Sequence, residues 1–103
     1  MKNILSNLEP KEVWKYFEEI TQVPRPSKKE EQIIEFLMDF GKKNNLETKR
    51  DEIGNVLIKK PATKGKENVR PVILQSHMDM VCEKNSDVDH DFLTDPIIPR
   101  IDN

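Results

Sequence analysis

The chain has 103 residues, of which 35% are apolar and 35% charged, and its formal net charge is −2. Soluble domains contain about 45–50% apolar residues, so this composition leaves little material for a hydrophobic core. The near-neutral charge disfavours nucleic-acid binding, no apolar run approaches the ~20 residues of a membrane span, and the single Cys82 excludes an internal disulfide. No apolar leader opens the sequence, and we therefore expect a cytoplasmic protein with no nucleic-acid or membrane partner.

The first predicted element is an amphipathic helix that begins near Pro10, since proline suits the opening turn of a helix. Apolar side chains then recur at helical spacing, at Val13, Phe17 and Ile20 with Trp14 beside them. The opposite side, which includes Glu18, is predicted to face water. Pro24 and Pro26 end the helix because the residue before a proline avoids helical conformations.

A second helix follows the Pro-rich link. Ser27 and Glu30 have the spacing of a capping box, in which the two side chains satisfy free N–H groups at a helix start. The apolar stripe of this helix comprises Ile33, Ile34, Leu37, Met38 and Phe40. The helix is predicted to end around residues 43–45.

After the second helix, the apolar residues no longer recur at helical spacing. Residues 46–50 and 56–58 form a predicted β-hairpin, with turn chemistry at residues 53–55. Residues 61–70 form a polar, basic loop without aromatic side chains, and we expect it to be solvated. Residues 71–75 are mostly apolar, which predicts an interior strand covered on both faces. The order predicts an α/β fold with helices packed on a mixed β-sheet.

The strongest candidate for chemistry is His77 with Asp79, directly after that predicted strand. Functional groups in open α/β sheets gather at the carboxyl ends of strands. A neutral imidazole is a common metal ligand, and its second nitrogen usually donates to a carboxylate. His77 would then be the metal ligand and Asp79 its orienting partner. From spacing alone, a histidine that is simply hydrogen-bonded at a strand end remains an alternative.

The acidic segment further along is a weaker candidate. Carboxylates spaced like those of a calcium-binding EF-hand lie at Asp87, Asp89, Asp91 and Asp95. Phe92 stands where that loop needs glycine, and Ile98 stands where it needs a bidentate glutamate. We therefore favour a solvated acidic loop and keep a calcium-binding domain as an alternative. Cys82 is expected to be a small buried side chain.

Several segments, taken together in their order along the chain, form a recognisable series. They are Leu8-Glu9-Pro10, Val13-Trp14, Val23-Pro24-Arg25-Pro26-Ser27, Glu30-Glu31-Gln32, Asp51-Glu52-Ile53-Gly54-Asn55-Val56, Lys60-Pro61-Ala62, Leu74-Gln75-Ser76-His77-Met78-Asp79-Met80-Val81, His90-Asp91-Phe92 and Asp95-Pro96-Ile97. With these segments the chain resembles the cytosolic aminoacyl-histidine dipeptidases of the zinc exopeptidase superfamily. The strand followed by His-x-Asp is typical of the superfamily. The Pro-rich link, the Gly-Asn turn and the His-Asp-Phe segment are typical of the aminoacyl-histidine branch.

The resemblance implies that His77 binds one ion of a zinc pair, for which cobalt or manganese could substitute. It implies that Asp79 is the catalytic-site carboxylate that orients the His77 imidazole. Residues 1–103 would be the N-terminal portion of a metallopeptidase catalytic domain, with the other ligands, the general base and a lid or dimerisation domain beyond residue 103. The full-length enzyme would be a homodimer that hydrolyses Xaa-His dipeptides, and this chain alone is expected to be inactive.

Two further alternatives stay open besides calcium binding. One is another di- or tripeptidase, or a deacylase, of the same zinc superfamily. The other is a non-catalytic binding module, which predicts that the natural reading frame ends near Asn103 and that the chain is a stable monomer.

Overall fold

The structure is a computed structural model that describes residues 3–102. Two helices, α1 (Lys11–Thr21) and α2 (Glu31–Lys43), precede the strands β1 (Glu47–Arg50) and β2 (Val56–Lys59). The strands form an antiparallel hairpin in which Glu47 pairs with Lys59 and Arg50 with Val56. The predicted α/β class is confirmed, and so are the two helices, the hairpin and its turn.

The packed part of the molecule is built by α2 against both strands of the hairpin. Ile33 is only 2% exposed and Ile34 is also buried, and burying such a side chain contributes about 1.5–3 kcal/mol. Gly41 lies against the Thr48 side chain of β1, where any Cβ would collide with the threonine hydroxyl. A glycine inside a helix is unfavourable by itself, and here it permits the close approach of helix and strand.

The loop between β1 and β2 is organised by Asp51. Its Oδ1 accepts the N–H groups of Ile53 at 3.1 Å and Asn55 at 2.8 Å, and its Oδ2 accepts the Asn55 side-chain amide at 2.7 Å. Gly54 has a φ of +99°, which L side chains rarely adopt. The turn therefore depends on one aspartate for its hydrogen bonds and on one glycine for its backbone conformation.

Helix α1 corrects the prediction that Glu18 faces water. Glu18 is 3% exposed, and its carboxylate accepts the backbone N–H groups of Ile4 at 2.9 Å and Leu5 at 3.1 Å. The segment before α1 folds over the helix, and its N–H groups need an acceptor once water is excluded. Val13 and Phe17, predicted for the apolar face, are half-exposed or more.

The predicted capping box at the start of α2 is also wrong. The helix begins at Glu31, and its N-cap residue Glu30 makes no side-chain capping bond. Lys28 has a φ of +69°, a left-handed conformation that cannot continue into a right-handed helix. The carboxylate of Glu30 instead accepts the N–H of Lys28 at 2.8 Å, and the Ser27 hydroxyl turns away from the helix.

The predicted interior strand at residues 71–75 does not form. Val72 and Ile73 are largely exposed, and Leu74 is 93% exposed. An interior strand exists only where neighbouring strands hydrogen-bond to both of its edges, and neither β1 nor β2 pairs with this segment. Cys82, predicted to be buried, is also exposed.

The segment after residue 82 is anchored to the helices at a few points. Ile97 donates its N–H to Thr21 O at 2.9 Å, and the Gln32 side chain donates to Leu93 O at 3.1 Å. The radius of gyration is 16.4 Å, against about 13 Å for a compact domain of 100 residues. Within residues 3–102, no helix combines the length and apolar character needed to cross a membrane.

Candidate metal-binding site at His77 and Asp79

An isolated parallel β-bridge between Pro26 and Met80 positions the candidate site. Met80 donates its N–H to Arg25 O at 2.8 Å, and Ser27 donates its N–H to Met80 O at 3.1 Å. These two hydrogen bonds hold the Pro-rich link between the helices beside the segment that contains His77 and Asp79. Asp79 consequently lies next to Ser27, although 52 residues separate them in sequence.

The structure brings the predicted pair together. His77 Nδ1 lies 3.0 Å from Asp79 Oδ1 and also 3.0 Å from the backbone oxygen of Asp79. The His77 side chain is 82% exposed, whereas that of Asp79 is two-thirds covered. The carboxylate is therefore the sheltered member of the pair, and the imidazole is open to approach by a ligand.

The protonation state of Asp79 determines which nitrogen of His77 carries hydrogen. The hydrogen bond from the Ser27 hydroxyl, and then the one from His77, lower the pKa of Asp79 below its ordinary value. An ionised carboxylate can only accept, so His77 Nδ1 must be the donor in this contact. In the neutral imidazole, Nε2 then keeps its lone pair, which is the form that a metal ion needs.

His77 also lines a cleft of about 260 Å³ between the hairpin turn and residues 75–79. Gly54 and Asn55 form the side of the cleft nearest the hairpin, and Glu30 and Ile34 belong to its α2 side. An exposed imidazole with a free Nε2 fits the role of one metal ligand. Within residues 3–102, no group of three or more His, Cys, Asp or Glu side chains is arranged to hold a metal ion.

The acidic segment has other bonding partners. Asp95 Oδ2 accepts the N–H of Asp91 at 2.8 Å, and Asp91 Oδ1 accepts the N–H of Leu93 at 2.9 Å. These carboxylates organise the backbone of their own loop. His90 packs edge-to-face on Phe92, with ring centroids 4.9 Å apart, in a different cleft from His77.

Ser27 is the site residue that the sequence analysis missed. Its hydroxyl donates to Asp79 Oδ2 at 2.6 Å, where the local pattern had predicted a helix cap. No local signal relates two side chains 52 residues apart; the only indication was the Pro-rich segment that carried part of the resemblance. In this α/β segment, Ser27 bonds to Asp79 and Asp79 orients the imidazole of His77. Metalloenzymes use an imidazole oriented in this way as a metal ligand.

Comparisons with known proteins agree with the resemblance. The chain is 49% identical over 98 residues to the cytosol non-specific dipeptidase of Escherichia coli (strain K12), an alignment that covers 95% of this chain and 20% of that protein. Its structure is similar to the crystal structure of the aminoacylhistidine dipeptidase from Vibrio alginolyticus, with a TM-score of 0.90 and 47% identity, again over 95% of this chain and 20% of that one. No protein-family model matches.

The predicted likeness to aminoacyl-histidine dipeptidases is thus confirmed in both sequence and fold. The relatives are named as dipeptidases, which are hydrolytic enzymes. The chain spans about a fifth of the length of each of them.

Proposed function

We propose that this chain is part of a zinc-dependent dipeptidase that hydrolyses aminoacyl-histidine dipeptides, and that His77 is one of its zinc ligands. The observation that carries the proposal is the His77 Nδ1 to Asp79 Oδ1 contact of 3.0 Å. It supports the proposal because an imidazole that donates from Nδ1 to an ionised carboxylate keeps the Nε2 lone pair for a metal ion. The 47% identity to a protein named as an aminoacylhistidine dipeptidase is the second support.

The roles of the two residues follow from their chemistry. His77 would hold the metal through Nε2, while Asp79 keeps the proton on Nδ1 and prevents the ring from turning. Zinc, when bound, supplies a Lewis acid that polarises the scissile carbonyl and activates water. Asp79 acts in this scheme by orienting a ligand, since its Oδ1 accepts from His77 and its Oδ2 accepts from the Ser27 hydroxyl.

We further propose that other parts of the complete protein finish the site. A catalytic zinc has about three protein ligands, and hydrolysis needs a base to accept a proton from water. We assign those groups to sequence equivalent to the other four-fifths of the relatives and expect residues 1–103 alone to be inactive. We also propose that the complete enzyme is cytoplasmic and homodimeric, and that cobalt or manganese can replace its zinc. The name of the E. coli relative, a cytosol dipeptidase, supports the cytoplasmic location.

A broader substrate range is the second candidate, favoured by the name of the E. coli relative, which is a non-specific dipeptidase. The test is a panel of Xaa-His dipeptides, dipeptides without histidine, tripeptides and N-acyl amino acids, measured as kcat/KM with the complete protein. Preference for Xaa-His supports the narrower assignment. Equal rates across dipeptides support the broader one, and preference for tripeptides or N-acyl substrates contradicts both.

The metal assignment is tested by His77→Ala in the complete protein. Because the variant removes a ligand, zinc content and kcat/KM should fall, the rate by more than the ~10–100-fold typical of losing an orienting group. His90→Ala is the matched control, since His90 packs on Phe92 away from this cleft. Zinc content by atomic spectroscopy at the level of the unmodified protein, together with normal turnover, would contradict the proposal.

A further inference from the structure

The hydroxyl of Ser27 has two acceptors within reach and one proton to donate. Asp79 Oδ2 lies at 2.6 Å and the backbone oxygen of Met80 at 3.3 Å. The first distance is that of a charge-assisted O–H to carboxylate bond, which is about twice as strong as a bond between neutral groups. The proton therefore belongs to the contact with Asp79.

This contact completes a chain of three side chains. Asp79 accepts a hydrogen bond from Ser27 on Oδ2 and one from His77 on Oδ1. Donors on both oxygens restrict rotation of the carboxylate about its Cβ–Cγ bond. Ser27 itself is held by its own N–H, which donates to Met80 O at 3.1 Å. Through Asp79, the exposed His77 ring is thus connected to Ser27, 50 residues away in sequence, while its Nδ1 also lies 3.0 Å from the backbone oxygen of Asp79.

The backbone and the side chain of Ser27 perform separable tasks. The β-bridge between Pro26 and Met80 uses only main-chain groups. Loss of the hydroxyl leaves these bonds available. The hydroxyl is consequently not needed to join the two segments, and its one strong contact is with the carboxylate that orients His77.

We propose that Ser27 is a positioning residue, which acts through Asp79 to hold His77 in the orientation and tautomer that bind a transition-metal ion. The inference rests on the proposed function of His77 as a zinc ligand. It adds a residue from the Pro-rich link, outside the His-x-Asp segment, to the construction of the site.

The experiment compares Ser27→Ala, Ser27→Thr and Ser6→Ala in the complete protein, with zinc itself as the probe. Ser6 is the matched control because, among residues 3–102, its hydroxyl bonds only to Asn3 O, at 2.8 Å, and Ser6 does not line the cleft beside His77. Chelator competition should show about 10-fold weaker zinc binding in Ser27→Ala, at the low end of the range for outer partners of a metal ligand. Ser27→Thr keeps the hydroxyl at an exposed position and should bind zinc as the unmodified protein does.

A spectroscopic readout distinguishes positioning from a general loss of structure. In the metal-free protein labelled with ¹⁵N-histidine, His77 should show the Nδ1–H tautomer, and Ser27→Ala should shift it toward a mixture while His90 stays unchanged. A double variant supplies the second check. If Ser27 acts through Asp79, adding Ser27→Ala to Asp79→Ala should produce no further loss of zinc affinity.

The outcomes separate the two proposals. Unchanged zinc affinity and tautomer in Ser27→Ala, failure of Ser27→Thr to restore them, or a further loss in the double variant would each overturn the role of Ser27. If His77→Ala still loses zinc in that case, the proposed function stands. If His77→Ala keeps its zinc, the proposed function fails first.

Discussion

Two regions of this molecule contrast sharply. In residues 31–59, α2 covers the hairpin and buries Ile33 and Ile34. In residues 60–102, apolar side chains such as Ile73 and Leu74 lie exposed, and the backbone of Ile97 is hydrogen-bonded to Thr21 and Gln22 at the end of α1. Both regions contain apolar sequence, but only the first has its packing partner nearby in the chain. Apolar character therefore produces a core only when a partner surface is present.

The candidate site lies where these two regions meet. His77 and Asp79 belong to the extended region, yet the bridge at Met80 and the Ser27 hydroxyl fasten them to the link that precedes α2. The cleft beside His77 is completed by the hairpin turn and α2. A poorly packed segment can thus present an oriented side chain when a few hydrogen bonds attach it to packed structure.

The largest difference in stability between the two regions is expected when Ile33→Ala is compared with Ile73→Ala. The first removes a fully buried side chain and should lower the free energy of unfolding by about 2–5 kcal/mol. Ile73 is 85% exposed, so its substitution should stay within about 0.5 kcal/mol. Urea unfolding followed by circular dichroism measures both, and equal losses would contradict the division into packed and extended regions.

Asp79→Ala tests whether the extended region carries an oriented functional group. Loss of the carboxylate leaves His77 Nδ1 with only the backbone oxygen of residue 79 as its acceptor, and zinc affinity or kcat/KM of the complete protein should fall about 10–100-fold. Asp39→Ala, at an exposed position of α2, is the control and should change neither quantity. Unaltered kinetics and zinc binding in Asp79→Ala would remove the carboxylate from the site.

Gly54→Ala and Gly65→Ala compare a turn in the packed region with one in the extended region. Both glycines have positive φ, +99° and +88°, but a Cβ on Gly54 would come within 3.0 Å of Ile34 Cδ1, whereas nothing lies within 4 Å at Gly65. We expect Gly54→Ala to lower the free energy of unfolding by about 1–2 kcal/mol and Gly65→Ala by less, since its loop can relax. Thermal unfolding measures both losses of stability. A larger loss in Gly65→Ala than in Gly54→Ala would contradict the prediction.

The smallest expected effect is the pH dependence of the hairpin turn. The side chain and then the backbone N–H of Asn55 lower the pKa of Asp51. A carboxylate with a lowered pKa in the folded state stabilises that state above its unfolded pKa of about 3.9, and the contribution is lost as the pH falls through the folded pKa. Amide exchange at Asn55, corrected for intrinsic rates, should therefore quicken below about pH 4, and much less so in Asp51→Asn. Protection at Asn55 that falls equally in Asp51→Asn and in the unmodified chain as the pH is lowered would contradict this.

Local sequence patterns predicted the parts of the fold that depend on neighbours in the chain. The apolar spacing around Ile33, the turn at Gly54 and the contact between His77 and Asp79 all involve residues a few positions apart. Glu18 shows the limit of such patterns, because it looked like a solvent-facing helix residue and is buried by the segment that folds over it.

By itself, therefore, the sequence determined the two helices, the hairpin, the His-x-Asp pair and the likeness to aminoacyl-histidine dipeptidases. Only the tertiary structure decided that Ser27 bonds to Asp79 rather than capping α2, and that residues 71–75 lie exposed. The physical reason is that periodicity and turn chemistry report interactions within a few residues. Hydrogen bonds across 52 residues, and the burial of a strand, depend on which surfaces the folded chain brings together.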